Sequence, residues 1–158
     1  MSTNIFSGTL FGIAALLLAL TSAFASDIAA SQENRSELSP RQQQVIRSVF
    51  SRLDSGEEHK MAMEWSDAKK VSETMCRPIA LQYFKKQYPQ ADRIFLGNRG
   101  NDSLELQRNK RLTGTGQFRE GTNWHYFTFE CQLNPATGRT TSFTANITKT
   151  ESFRYQSF

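Results

Sequence analysis

At Ala91 the hydrophobic periodicity of this chain changes from that of a helix to that of a strand, and it does not change back. A chain with helices first and alternating strands afterwards buries both by laying the helices on one face of an antiparallel sheet. The expected fold is therefore α+β, with two or three N-terminal helices on a meander of four to five strands. The expected domain covers residues 39–150.

The first helix is announced by Ser39 as N-cap and Pro40 at the first helical position, where a missing N–H costs nothing. Val45, Ile46, Val49, Phe50 and Leu53 then recur as one apolar stripe, and Asp54-Ser55-Gly56 ends the helix. A second helix starts at Ser66-Asp67 and carries Ala68, Val71, Met75 and Ile79 at helical spacing. Pro78 breaks or kinks it, which predicts two abutting pieces ending before Pro89.

Period-two patterns predict short strands over 93–97 and 103–108, separated by the turn residues Asn98-Arg99-Gly100-Asn101. A third strand over 111–119 puts Leu112, Gly114, Gly116 and Phe118 on one face. Its two glycines imply a close approach by a backbone or a large ring, with Trp124 or a helix as the expected occupant. The strand over 124–133 is the clearest. Phe127, Phe129, Cys131 and Leu133 take one face, and Trp124, Tyr126, Thr128, Glu130 and Gln132 take the other. Asn134-Pro135-Ala136-Thr137-Gly138 reads as a hairpin loop with Gly138 at positive φ. The returning strand over 139–148 sets Phe143, Ala145 and Ile147 on one face.

Ahead of the domain, residues 1–25 hold no charged side chain and end in Ala23-Phe24-Ala25, an Ala-x-Ala cleavage site after an apolar run. This predicts a signal peptide and a periplasmic or secreted protein. The alternative is an uncleaved anchor, since the segment is just long enough to cross a bilayer. Residues 26–38 are polar and expected to be disordered, and 151–158 form a tail. Phe158 is a barrel-like ending, but Gln156 and Arg154 break the alternation that a membrane strand needs.

The formal net charge is +4, unevenly spread. Residues 27–64 hold five basic and seven acidic side chains, and residues 65–158 hold fourteen basic and eight acidic. A basic C-terminal half suits an anionic envelope polymer, lipid headgroups or another envelope protein, although ordinary solubility is the simpler explanation of the charge. No nucleic acid partner is expected.

Two cysteines, Cys76 and Cys131, in an oxidising compartment read as a disulfide between helix and sheet. With the distant His59 and His125 they match no zinc spacing, so neither metal nor cofactor is expected. The triplets at Asn34, Asn101 and Asn146 fit the glycan-acceptor pattern and carry no assigned function.

The run Trp124-x-x-Phe127-x-Phe129-x-Cys131, followed by Asn134-Pro135-Ala136-Thr137-Gly138 and Phe143, resembles a group of small exported alphaproteobacterial proteins of unknown function. The resemblance extends back through Trp65-Ser66-Asp67-Ala68, Cys76-Arg77-Pro78 and the segment from Ala91 to Gly97. It implies a periplasmic or secreted domain and brings no catalytic or ligand residues with it. At fold level the chain is also similar to the outer-membrane assembly lipoproteins of the SmpA/OmlA type, which place two helices before a three-stranded sheet. It lacks their lipidated cysteine and has more strand.

No phosphate loop, nucleophile elbow or His-Glu-x-x-His motif occurs. His125 and Cys131 share a strand face, but at ~3.3 Å per residue they lie about 20 Å apart, beyond thiol–imidazole reach. A small secreted hydrolase of ribonuclease type would have to use Glu130, Arg111 or Arg119, and His125, and alternation sends Glu130 and His125 to opposite faces. His59, within Glu57-Glu58-His59-Lys60, reads as a solvated surface histidine. The expectation is a non-catalytic envelope or secreted domain. It would bind an anionic or glycan-like partner through Trp124, Tyr126, Arg108, Lys110, Arg111 and Arg119. The competing readings are that helices cover both rings as core, or that the domain is a structural module of envelope assembly.

Overall fold

The computed structural model describes residues 36–98 and 103–152. The proposed signal segment, most of the polar approach segment, residues 99–102 of the turn region and the end of the tail lie outside the described residues.

Helix α1 (Pro40–Phe50) opens with a reciprocal cap. Ser39 Oγ accepts from the Gln42 N–H at 3.1 Å, and Gln42 Oε1 accepts from the Ser39 N–H at 2.9 Å. The same two side chains pin the helix end to the sheet. Fully buried Gln42 donates to the Asn109 carbonyl at 2.8 Å, and Ser39 Oγ donates to the Pro135 carbonyl at 2.6 Å. Ile46 and Phe50 face the core, whereas Val49 and Leu53 are each 38% exposed, so the buried stripe is narrower than the spacing implied. The approach segment also ends in order. Leu38 is buried, and the Glu37 N–H donates to Asp67 Oδ2 at 3.1 Å.

The expected stop at Asp54-Ser55-Gly56 is also a start. Ser55 Oγ accepts from the Glu58 N–H and caps α2 (Gly56–Glu64), a helix whose polar sequence gave no apolar stripe to read. His59 is half-buried there, its Nδ1–H on the Phe50 carbonyl at 3.1 Å, and closes the end of α1 instead of standing in solvent.

Helices α3 (Asp67–Val71) and α4 (Arg77–Lys85) abut as expected, but the break falls upstream of Pro78, in a π-helical turn over Ser72–Cys76. Pro78 has no N–H for the Thr74 carbonyl, and its ring crowds that carbonyl in a regular helix. Widening the preceding turn, so that the Arg77 N–H reaches the Ser72 carbonyl, removes the conflict and leaves Pro78 in the first turn of α4. Cys76 at the end of this turn is bonded to Cys131 over a separation of 55 residues, and both are fully buried.

The strands are β1 (Ala91–Leu96), β2 (Leu104–Gln107), β3 (Arg111–Glu120), β4 (Asn123–Asn134) and β5 (Arg139–Ser152), all antiparallel. β1 and β2 pair successively with one edge of β3, and β4 and β5 follow in order. The β4–β5 turn is built by Asn134, whose Oδ1 accepts from the Ala136 and Thr137 N–H groups, and by Gly138 at φ 65° as expected. Strand β5 runs past 148 to Ser152, with Thr141 and Thr148 as extra residues where the β4 register shifts.

One sheet face is buried under the helices. Phe84 of α4 lies 4.2 Å from the Phe118 ring and 4.6 Å from that of Phe127, with Phe143 beyond. The seat at Gly114 and Gly116 is filled, but not by Trp124 or a helix. A Cβ at Gly116 would lie 2.5 Å from the Phe127 ring and 2.8 Å from the Phe95 carbonyl oxygen, and one at Gly114 would lie 2.3 Å from that of Ser103. Trp124 cannot reach this seat because alternation points it to the other face. Gly116→Ala is therefore expected to cost about 1–3 kcal/mol by overpacking. A urea titration with a wild-type midpoint would contradict that close approach.

A partly exposed ion cluster supports the helix pair. Glu73 takes Lys69 Nζ at 2.6 Å and Arg77 Nη1 at 2.7 Å. Burial raises its carboxyl, but the two cationic partners outweigh this and hold it below the ordinary carboxylate value. A depressed folded value means that the contribution is present above the unfolded carboxylate range and disappears as pH falls through the folded value. Glu73→Gln is expected to flatten the acid limb of the stability–pH curve, with its largest deficit near neutrality. An acid limb identical to wild type would sink this assignment.

Candidate functional site on the outer sheet face

The face turned away from the helices carries Phe95 from β1, Gln117 and Arg119 from β3, Trp124, Tyr126 and Glu130 from β4, and Lys149 and Glu151 from β5. Register brings them together: Phe95 opposes Gln117, which opposes Tyr126, which opposes Lys149. Trp124 and Tyr126 are half-buried on this face, so neither is a core ring under the helices. Phe95 is 39% exposed, and its ring centroid lies 6.1 Å from that of Trp124, the planes 24° apart. Two strands thus supply one shallow aromatic surface across β3.

Arg111, Arg119 and Lys149 are already engaged, while exposed Arg93 of β1 stands opposite Arg119. Arg111 donates to Gln107 and, at 3.2 Å, to Glu130. Arg119 donates from Nε to Asp92 at 3.0 Å, with a second bond from Nη2. That pairing raises the guanidinium and lowers the carboxyl. Lys149 pairs with Glu151 and stands 5.8 Å over the Tyr126 ring. The Tyr126 hydroxyl donates to Glu151 at 2.7 Å, which raises the phenol, while Lys149 and then Tyr126 hold the Glu151 carboxyl low. Arg108 and Lys110 are exposed in the β2–β3 turn, Arg108 at φ 53°, at one end of the face rather than among the rings.

Where β1 gives way to β2 there is an open cleft of about 780 Å³, within the range of small-ligand sites. Phe95, Asn98, Thr115, Gln117, Tyr126 and Thr148 are among its lining residues, and Lys69 of α3 also borders it. Sequence reasoning found Trp124 and Tyr126 but missed Phe95 and Gln117. The alternation in the first strand carries that signal once strand order is known, and strand order is not a local property.

The ribonuclease-type set is not assembled. Glu130 and Arg111 meet on the outer face. His125 is 7% exposed on the inner one, stacked 4.6 Å from Phe118 with Nδ1 3.0 Å from Thr150 Oγ1. Its Nε2 lies 3.5 Å from Glu120, not near Glu130. Among the described residues no cluster of three or more His, Cys, Asp and Glu side chains is placed to hold a metal ion, and no helix is long and apolar enough to cross a membrane.

Fold and face together define an α+β domain with a disulfide-tethered helical layer and an aromatic, polar outer sheet surface. No family model, curated protein or solved structure matches the chain.

Proposed function

We propose that this is an exported, non-catalytic domain that binds a glycan-like partner on its outer sheet face. The observation that carries this reading is the composition of the face. Exposed Phe95 and half-buried Trp124 and Tyr126 adjoin amide and hydroxyl side chains, while Arg119, Arg111 and Lys149 are paired with Asp92, Glu130 and Glu151. Sugars present apolar C–H faces and many hydroxyls, so rings and neutral hydrogen-bonding groups suit them better than a field of unpaired charge does. The buried disulfide supports an oxidising compartment. The resemblance to small exported alphaproteobacterial proteins supports periplasmic or secreted placement, with cell-wall polymer as the natural glycan source.

Calorimetric titration with soluble cell-wall glycan fragments and with a polyanion tests the reading. Glycan binding is expected to weaken about 10-fold in Trp124→Ala, a contribution ordinary for a ring at the centre of a contact. It is expected to change little in Arg111→Glu or with added salt. Binding that is screened by salt and abolished in Arg111→Glu would favour an anionic partner instead. Folded variants that retain every partner would show that this face is not the site.

A further inference from the structure

We infer that β5 is a self-association edge, and that a second copy of this chain adds to it antiparallel, around a two-fold axis at Ala145. Among the described residues β5 pairs with β4 alone, so its other edge presents unpaired backbone N–H and C=O groups. Exposed edges are normally blunted by charges, proline, bulges or brevity. At Arg139–Ser152 this is the longest strand of the sheet, and it has neither charge nor proline from Thr140 to Thr148. The extra residues Thr141 and Thr148 leave a regular stretch between them, residues 142–147. The opposite edge is protected: β1 and β2 are separate short strands that carry Asp92, Arg93 and Glu105.

The strand is complementary to itself in one register. Pairing Ala145 with Ala145 of the partner subunit sets Phe143 against Ile147 of the partner subunit. Ile147 is 40% exposed on the helix side in the single chain, so the contact covers an apolar side chain left open. The same register sets Arg139 against Glu151 of the partner subunit, with one extra residue on each side of the axis so that the offsets compensate. A two-fold axis normal to the sheet keeps both helical layers on one side and joins the two outer faces into one surface. An edge contact buries less than the ~1,600 Å² of a standard interface, the size class of weak association. This inference stands on strand pairing and does not depend on the ligand.

Sedimentation of the oxidised protein between about 1 and 500 μM, which brackets a weak interface, is expected to show a monomer–dimer equilibrium. Thr144→Lys combined with Asn146→Lys brings like charges opposite one another twice and is expected to leave only monomer. Arg139→Glu is expected to weaken the dimer about 2–30-fold, the worth of the two symmetry-related cross-strand pairs, and adding Glu151→Arg to restore it. Should the lysine variant fail to fold, Ala145→Cys decides. Residues opposite in an antiparallel pair have Cα atoms ~4.5–5.5 Å apart, within disulfide range, so mild oxidation should give a covalent dimer. Ser142→Cys, about 20 Å from its own copy at strand spacing, should not cross-link. A monomer throughout the range, a dimer unmoved by the lysines, or cross-linking equal at both positions would overturn the inference.

Discussion

Replacing Cys76 and Cys131 together with alanine is expected to lower the unfolding free energy by about 4 kcal/mol. The bond closes a loop of 55 residues, and the chain-entropy model assigns a loop of that length about 4 kcal/mol. Against a total of roughly 5–15 kcal/mol for a domain, this is a large share. The loop is also architecturally central. It contains α4, β1, β2, β3 and most of β4, so without the bond the helical layer is held to the strands by packing and a few hydrogen bonds. Urea unfolding of the oxidised protein and the double variant measures the difference. A loss under about 1.5 kcal/mol would mean that the reduced chain retains the same constraint by other means.

Phe84→Ala should follow closely, with a loss of about 3–5 kcal/mol, the usual range for truncating a buried phenylalanine. Phe84 is 3% exposed and touches the rings of Phe118, Phe127 and Phe143, which come from three different strands. The surrounding rings are fixed by three strands, so the space closes only in part and a cavity remains. A thermal melt of Phe84→Ala alongside Phe95→Ala makes the comparison internal. Phe95 lies on the outer face and is expected to cost far less. Similar losses at the two positions would contradict the assignment of inner and outer faces.

Much of this arrangement is legible before any coordinates. Alternation alone sorts Phe127, Phe129, Cys131 and Leu133 from Trp124 and Tyr126, because side-chain direction in a strand has period two. The N-cap at Ser39, the break near Pro78 and the positive φ of Gly138 follow from single residues whose backbone chemistry is restrictive. What local reading misses is set by neighbours distant in sequence. Helix α2 buries only Ala62 and offers no stripe. The glycines of β3 receive Phe127 and the β1 and β2 backbones because β3 lies between those strands and β4, which local pattern does not reveal. Two of the arginines read as a free basic surface, Arg111 and Arg119, have acidic partners 19 and 27 residues away. The proposed face changes from a basic patch to an aromatic and neutral one for that reason.

The central claim is that the outer face, and not the helical layer or the β2–β3 turn, receives the partner. Backbone amide shifts of the folded, oxidised protein, followed by NMR while soluble cell-wall glycan fragments are added, test it directly. The account predicts that the largest shifts cluster at Phe95, Gln117, Trp124 and Tyr126 and persist at high salt, with α1 and α2 unmoved. Shifts centred on Arg108 and Lys110 that vanish with salt, or on the helices, would contradict it.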